Sequence, residues 1–187
     1  MRVIGGVAAS LRLAGPPPGV RPTTDRVREV LFSSLGALVE GRPFVDLYAG
    51  SGAVGIEALS RGASRCLFVE RSKGCVEAIR ANLARAGFGS EATVIQRDVA
   101  RALDEVVAWL AGEPGVVFAD PPYEDARALR TWAGLLADGR LAAGTVAVLE
   151  MSGRMSAEGL PAPAWERKVG ETRLMRWQVT EETDTHV

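Results

Sequence analysis

The 187-residue chain carries 22 basic and 23 acidic side chains for a net charge of −1, with 47% apolar residues. That length suits one domain with a sizeable core. The near-neutral charge excludes a uniformly basic nucleic-acid binder, and no apolar run is long enough to span a membrane.

Residues 1–30 hold Arg2, Arg12, Arg21, Arg26 and Arg28 against Asp25 and Glu29, a local charge of +3, while the remainder sums to −4. A basic arm on a mildly acidic body can bind phosphate locally or simply be a solvated face. The opening "MRVIGGVAASLRLAG" has no long apolar core, so no signal peptide is expected and the expected location is the cytoplasm. Residues 2–13 read as short extended segments broken at Gly5-Gly6. The Pro/Gly-rich "AGPPPGVRP" (14–22) reads as a loop. Thr23 or Thr24 then caps a helix with Asp25 in its first turn and Val27, Val30, Leu31, Leu35 and Leu38 at helical spacing.

From residue 44 strands and helices alternate. Strands are expected at 44–49, 66–70, 92–96, 115–120 and 144–151. Helices are expected at 53–62, 73–87, 100–112 and 124–137. The strands are continuous apolar runs, as in a parallel sheet covered on both faces. The pattern predicts a doubly wound α/β sheet. Residues 164–169 and 172–179 flank Gly170-Glu171 and predict an antiparallel hairpin at the sheet edge. The expected organisation is an N-terminal extension (1–40), a catalytic domain (41–179) and a disordered tail (180–187). Cys66 and Cys75 have neither metal nor redox spacing and are expected to be reduced structural thiols. No metal site is expected.

Open α/β sheets bind ligands beyond the carboxyl ends of their strands. The first such end is "VDLYAGSGAVG" (45–55), where Gly50 and Gly52 permit a tight turn. The glycine spacing fits neither the dinucleotide fingerprint nor a P-loop. Asp46, Glu70 and Asp98 sit at the ends of the first three strands. Glu70 could accept from both ribose hydroxyls and Asp98 from an adenine amine. S-adenosylmethionine (SAM) carries a cationic amine, a ribose and an adenine without a pyrophosphate, which fits three acids beside a short glycine turn.

The fourth strand ends on Asp120-Pro121-Pro122-Tyr123. Prolines fix φ, so the carbonyls of Asp120 and Pro121 can be held outward. Those carbonyls and the Asp120 carboxylate only accept hydrogen bonds, which suits a planar exocyclic amine with two hydrogens. Tyr123 can stack on a base. Attack on a sulfonium methyl needs positioning more than a strong base, and the sole histidine is His186, far down the chain.

"DPPY" after "DLYAGSG" resembles the amino-methylating class of SAM-dependent methyltransferases. "RVIGG", "RPTTDRVREVLF" (21–32), "DLYAGSGAVGIEALSRGA" (46–63) and "GETRL" (170–174) make the chain similar to the RsmD-like family of 16S ribosomal RNA (guanine-N2)-methyltransferases. The resemblance spans roughly residues 2–177. It implies a Rossmann-like SAM-dependent methyltransferase fold and methyl transfer to N2 of guanine 966, in the usual numbering of that RNA. The implied partner is 16S rRNA or the assembling 30S subunit. A monomer is expected, with no membrane partner. The implied cofactor-binding set is Asp46, Tyr48, Ala49, Gly50, Ser51, Gly52, Glu70, Arg71, Asp98 and Val99. Asp120, Pro121, Pro122 and Tyr123 would hold the target base. Arg2, Arg12, Arg21, Thr23, Thr24, Arg26 and Arg28 would lie on the RNA side. Family members commonly carry a basic run after "IGG", whereas this chain has "VAASLRL" with Arg12 alone charged.

Residue chemistry alone leaves other acceptors of the methyl group open. An N6-adenine DNA methylase would share the site but normally needs a recognition region, for which residues 164–179 are the one candidate. A glutamine-directed protein methylase would use the same acceptors. A non-catalytic SAM-binding or RNA-chaperone module would not need Asp120–Tyr123, and the glycine spacing disfavours an oxidoreductase.

Overall fold

The glycine turn, the ordered acids and the proline pair all have to meet at one sheet edge, and strand order decides whether they do. In a computed structural model, which describes residues 1–19, 23–122 and 125–180, seven strands form one sheet. They are β1 (Pro43–Leu47), β2 (Arg65–Glu70), β3 (Ala92–Gln96), β4 (Val116–Ala119), β5 (Val146–Ser152), β6 (Trp165–Val169) and β7 (Thr172–Gln178). The order is β3-β2-β1-β4-β5-β7-β6. The first five strands pair in parallel, and β7 pairs antiparallel with both β5 and β6. The doubly wound sheet and its terminal hairpin are therefore as expected. The chain reverses direction across the sheet between β1 and β4, the switch point at which such sheets bind ligands.

The helices are α1 (Asp25–Leu35), α2 (Ala53–Ser60), α3 (Lys73–Ala86), α4 (Val99–Leu110) and α5 (Ala126–Ala137). Successive strand residues point to opposite faces. Phe44, Phe68, Phe118 and Val148 pack with α1, α2 and α3 residues such as Leu31, Ile56 and Ile79. Val45, Leu67, Val117 and Leu149 pack with Val106 and Leu110 of α4 and Trp132 and Leu135 of α5. Continuous apolar runs in the inner strands follow from burial on both sides. β3 at the open edge departs from this, since none of its residues is fully buried.

Caps set the helix limits. Thr24 accepts from Val27 N, Ser72 from Cys75 N and Asp98 from Ala100 N. Gly36, at φ 51, stops α1 before Leu38, which falls in a single 3-10 turn, so the helical run is shorter than its apolar spacing suggests. The residue-2–13 segments pair with each other. Arg2 and Arg12 form an antiparallel bridge, and Val3 N donates to Leu11 O at 2.9 Å. Val3 and Leu13 enter the same core as α1 and α2. Cys66 and Cys75 are free and buried, as expected of structural thiols. No helix among the described residues is long and apolar enough to cross a membrane. The expected tail beyond residue 180 lies outside the described residues.

Candidate active site

The end of β1 turns sharply. Tyr48 sits at φ 61, in the left-handed region, which costs a non-glycine residue roughly 1–2 kcal/mol. Gly50 follows at φ 56 and its N–H donates to Glu70 Oε2 at 2.9 Å. Glu70 Oε1 accepts from Ser72 N at 2.8 Å. One carboxylate thus ties the glycine turn to the next strand, and each of its oxygens retains a further lone pair for a ligand hydroxyl.

Asp46 is 1% exposed and accepts from Gly55 N at 2.8 Å at the start of α2. Burial pushes its carboxyl well above its ordinary value, opposed by the Gly55 hydrogen bond and reinforced by the charges of Asp120 and Glu70. Asn82, buried on α3, accepts from Ala14 N and donates to Ala14 O and Ser51 O. It pins the N-terminal segment against the glycine turn. A lone Asn on an apolar helix face offers no signal of this in sequence.

A cavity of about 450 Å³ opens at this rim. Of the expected cofactor residues, Asp46, Tyr48, Ala49, Gly50, Ser51, Glu70, Arg71, Asp98 and Val99 line it. Gly52 is not part of the wall. It caps α2 at φ 79, and a Cβ there would lie 3.2 Å from Ile79, so it faces the core. Asp98 lies two residues past β3 and caps α4, so it does not close the strand itself. Its Oδ2 lies 3.4 Å from the Arg127 guanidinium of α5, a cavity residue that the sequence did not single out. Burial, with the charges of Asp125 and Asp98, pushes the Tyr48 phenol up to about 12, so it stays neutral.

On the other side of the switch point, Asp120, Pro121 and Pro122 line the same cavity. Asp120 N donates to Leu47 O at 3.3 Å, fastening the motif to the end of β1. Thr23 donates its hydroxyl to Asp120 Oδ2 at 3.1 Å, across 97 residues of chain. Thr23 and Thr24 both line the cavity. Tyr123 and Arg21, expected at the base and at the RNA side, lie outside the described residues. Arg2, Arg12 and Arg26 are exposed.

Arg28 is a correction. It is fully buried, with one guanidinium nitrogen 2.7 Å from both Arg2 O and Asp25 Oδ1 and the other 4.0 Å from buried Glu57. It cannot meet RNA. The signal was present, since positions 28, 31, 32 and 35 form the i, i+3, i+4, i+7 stripe that α1 buries.

The acceptors fit a SAM molecule. A cationic amine, a diol and an adenine amine all present donors, and the wall from β1 to α4 offers Asp46, Glu70 and Asp98. Among the described residues no group of three or more His, Cys, Asp or Glu is arranged to hold a metal ion.

Residues 1–178 match the family described as "Conserved hypothetical protein 95". Over 164 residues, 86% of the chain, it is 35% identical to the Escherichia coli (strain K12) ribosomal RNA small subunit methyltransferase D, covering 72% of that protein. The chain belongs to this RsmD-like family. The family is one of SAM-dependent methyltransferases, and its Rossmann-like fold is the one found here. A hypothetical protein of Thermus thermophilus superposes with TM-score 0.79 at 34% identity, over 96% of this chain and 99% of that one. An RNA methyltransferase of Salinibacter ruber, solved with S-adenosyl-L-homocysteine, shares the fold at TM-score 0.64 and 24% identity, over 87% and 95% of the two chains. The RsmD-like match covers the N-terminal hairpin and α1 as well as the sheet.

Proposed function

We propose that this RsmD-like chain transfers the methyl group of SAM to the exocyclic N2 of a guanine in 16S ribosomal RNA, guanine 966 in the usual numbering. One observation carries the reading: a single cavity joins the acid-lined glycine turn to Asp120-Pro121-Pro122 across the switch point. SAM supplies a methyl on a positively charged sulfur. The acids of β1, β2 and α4 hold the donor, with Asp46 toward its amine, Glu70 on the ribose and Asp98 at the adenine. Asp120 and the Pro121 carbonyl accept the two N2 hydrogens and turn the nitrogen lone pair toward the methyl. As the N–C bond forms and the S–C electron pair returns to sulfur, N2 gains positive charge. Asp120 stabilises that charge and takes the released proton, which passes to water.

Residues 1–40 form the RNA-side extension, with exposed Arg2, Arg12 and Arg26 on phosphates, and residues 41–179 form the catalytic unit. The target base leaves its stacked surroundings to reach the cavity, where Tyr123 supplies a stacking face. That 35% identity to a ribosomal RNA methyltransferase runs through 86% of the chain supports RNA over DNA or protein as the acceptor.

Nucleoside mass spectrometry of 16S RNA from cells lacking the protein tests the reading. N2-methylguanosine should be missing and should return on incubation with purified protein and SAM. Unchanged N2-methylguanosine overturns it. Asp120→Ala should keep SAM affinity within a few-fold in calorimetry and abolish transfer. Equal loss of both would remove Asp120 from the target amine.

A further inference from the structure

We propose that Glu150 is the residue that selects guanine, by accepting a hydrogen bond from the ring N1–H of the target base. The inference rests on the guanine-N2 reading above. Glu150 stands on β5 and was not singled out by any sequence motif. Ala119 pairs with Leu149, so Asp120 and Glu150 are the next neighbours beyond the paired register at the carboxyl rim. Asp46 pairs with Phe118, and Phe118 and Val148 pack in one core. Positions two apart share a face. Asp120 and Glu150 therefore stand on the same side of the sheet as Asp46.

The strand order separates two halves of the rim. Asp46 and Glu70 occupy β1 and β2, where the donor belongs. Glu150 and Thr172 occupy β5 and β7, on the far side of Asp120, and both line the cavity. Thr23 and Thr24, at the start of α1, line it too, and Thr23 bonds to Asp120. Glu150 is 2% exposed, so a hydrogen bond between its carboxyl and a bound base would be sheltered from bulk water.

The chemistry then identifies the ligand edge. Asp120 and Pro121 call for an exocyclic amine, and Glu150 beside them calls for a second donor adjacent to that amine. Guanine offers N1–H next to N2. Adenine and cytosine have an amine beside an unprotonated ring nitrogen, whose lone pair would face the carboxylate. Uracil has a ring N–H and no amine. A glutamine side chain has no ring donor at all. Only guanine among the standard bases satisfies both acceptors.

The test compares RNA carrying guanine with the same RNA carrying 2-aminopurine at the target position. 2-Aminopurine keeps the N2 amine and leaves N1 unprotonated. The wild-type enzyme should favour guanine by at least about 100-fold in kcat/KM, because a site built around a donor rejects an analogue lacking it. Glu150→Gln keeps the side-chain size and can donate to the unprotonated N1. It should lose most of that preference, with activity on guanine falling and on 2-aminopurine rising, while SAM affinity stays within a few-fold. Glu150→Asp should weaken activity on guanine and retain the preference.

An unchanged ratio in Glu150→Gln overturns the assignment. So does loss of activity on both RNAs with SAM affinity intact. Equal rates on the two RNAs in the wild type overturn it without any variant. Absence of N2-methylguanosine from the wild-type reaction on guanine RNA is a different failure, and it sinks the guanine-N2 reading itself.

Discussion

Asp46 lines the cavity at a cost to the fold. Its carboxyl is buried and lies well above its ordinary 3.8, with burial as the main cause. The folded state therefore holds the proton more tightly than the unfolded chain. Stability from this group is full below 3.8 and is lost as pH rises through the elevated folded value. Asparagine cannot titrate, yet its carbonyl can still accept from Gly55 N. Asp46→Asn should melt at a higher temperature than wild type at pH 8, and the gap should close toward pH 4. If Asp46 meets the donor amine as proposed, SAM affinity of this variant should fall at least about tenfold, because a neutral amide cannot form the ion pair that the bound cation would draw from the carboxyl. A melting series against pH with calorimetry checks both. A gap that widens toward low pH would place the proton elsewhere. Arg28 carries the converse lesson. A guanidinium reads as surface charge, but Asp25, Arg2 O and buried Glu57 surround it, so its position on the α1 stripe outweighed its type.

At the scale of elements, the N-terminal hairpin sits on α2 through close backbone approach and a buried acid. Ile4 N and Gly5 N donate to Glu57, Ala8 N donates to Ser60 Oγ, and Val7 N donates to Ser60 O at 2.8 Å. Gly6, at φ 78, lies where an added Cβ would fall 1.7 Å from Ser60 O. Gly87 closes α3 at φ 76 with nothing within 4 Å of such a Cβ. Both substitutions to alanine incur the left-handed backbone cost of about 1–2 kcal/mol. Gly6→Ala must also push the hairpin off α2, so it should destabilise by clearly more than Gly87→Ala. Denaturant midpoints of the two variants measure the difference, and equal midpoints would mean that the hairpin is not tightly docked. The glycine pair at 5–6 was legible as a break in extended chain. What it approaches was not, because Ser60 lies more than fifty positions away in another element.

At the scale of the molecule, charge is arranged unevenly. Asp46, Glu70, Asp98, Asp120 and Glu150 line the cavity, and Arg2, Arg12 and Arg26 are exposed on the N-terminal extension. If these arginines meet phosphates, RNA affinity should fall linearly with the logarithm of salt concentration. Replacing all three with alanine should flatten that slope by roughly 2–3, about 0.7–0.9 for each contact removed. The change should be uniform across RNA sequences and should leave SAM binding intact. A slope that does not move would place the RNA on another face.

Periodicity, breakers and caps are local, so the chain by itself determined its elements: five parallel strands with intervening helices, a closing hairpin, a glycine turn, and acids near successive strand ends. It also determined that Asp120-Pro121-Pro122 would follow the fourth strand. Only the tertiary structure decided which distant pieces meet. It placed β4 beside β1, set Thr23 on Asp120, turned Gly52 into the core, drew Arg28 inside and put Glu150 and Asp120 on one cavity. Those outcomes depend on burying two faces of one sheet at once. That is a constraint on the whole chain, and no short window of sequence contains it.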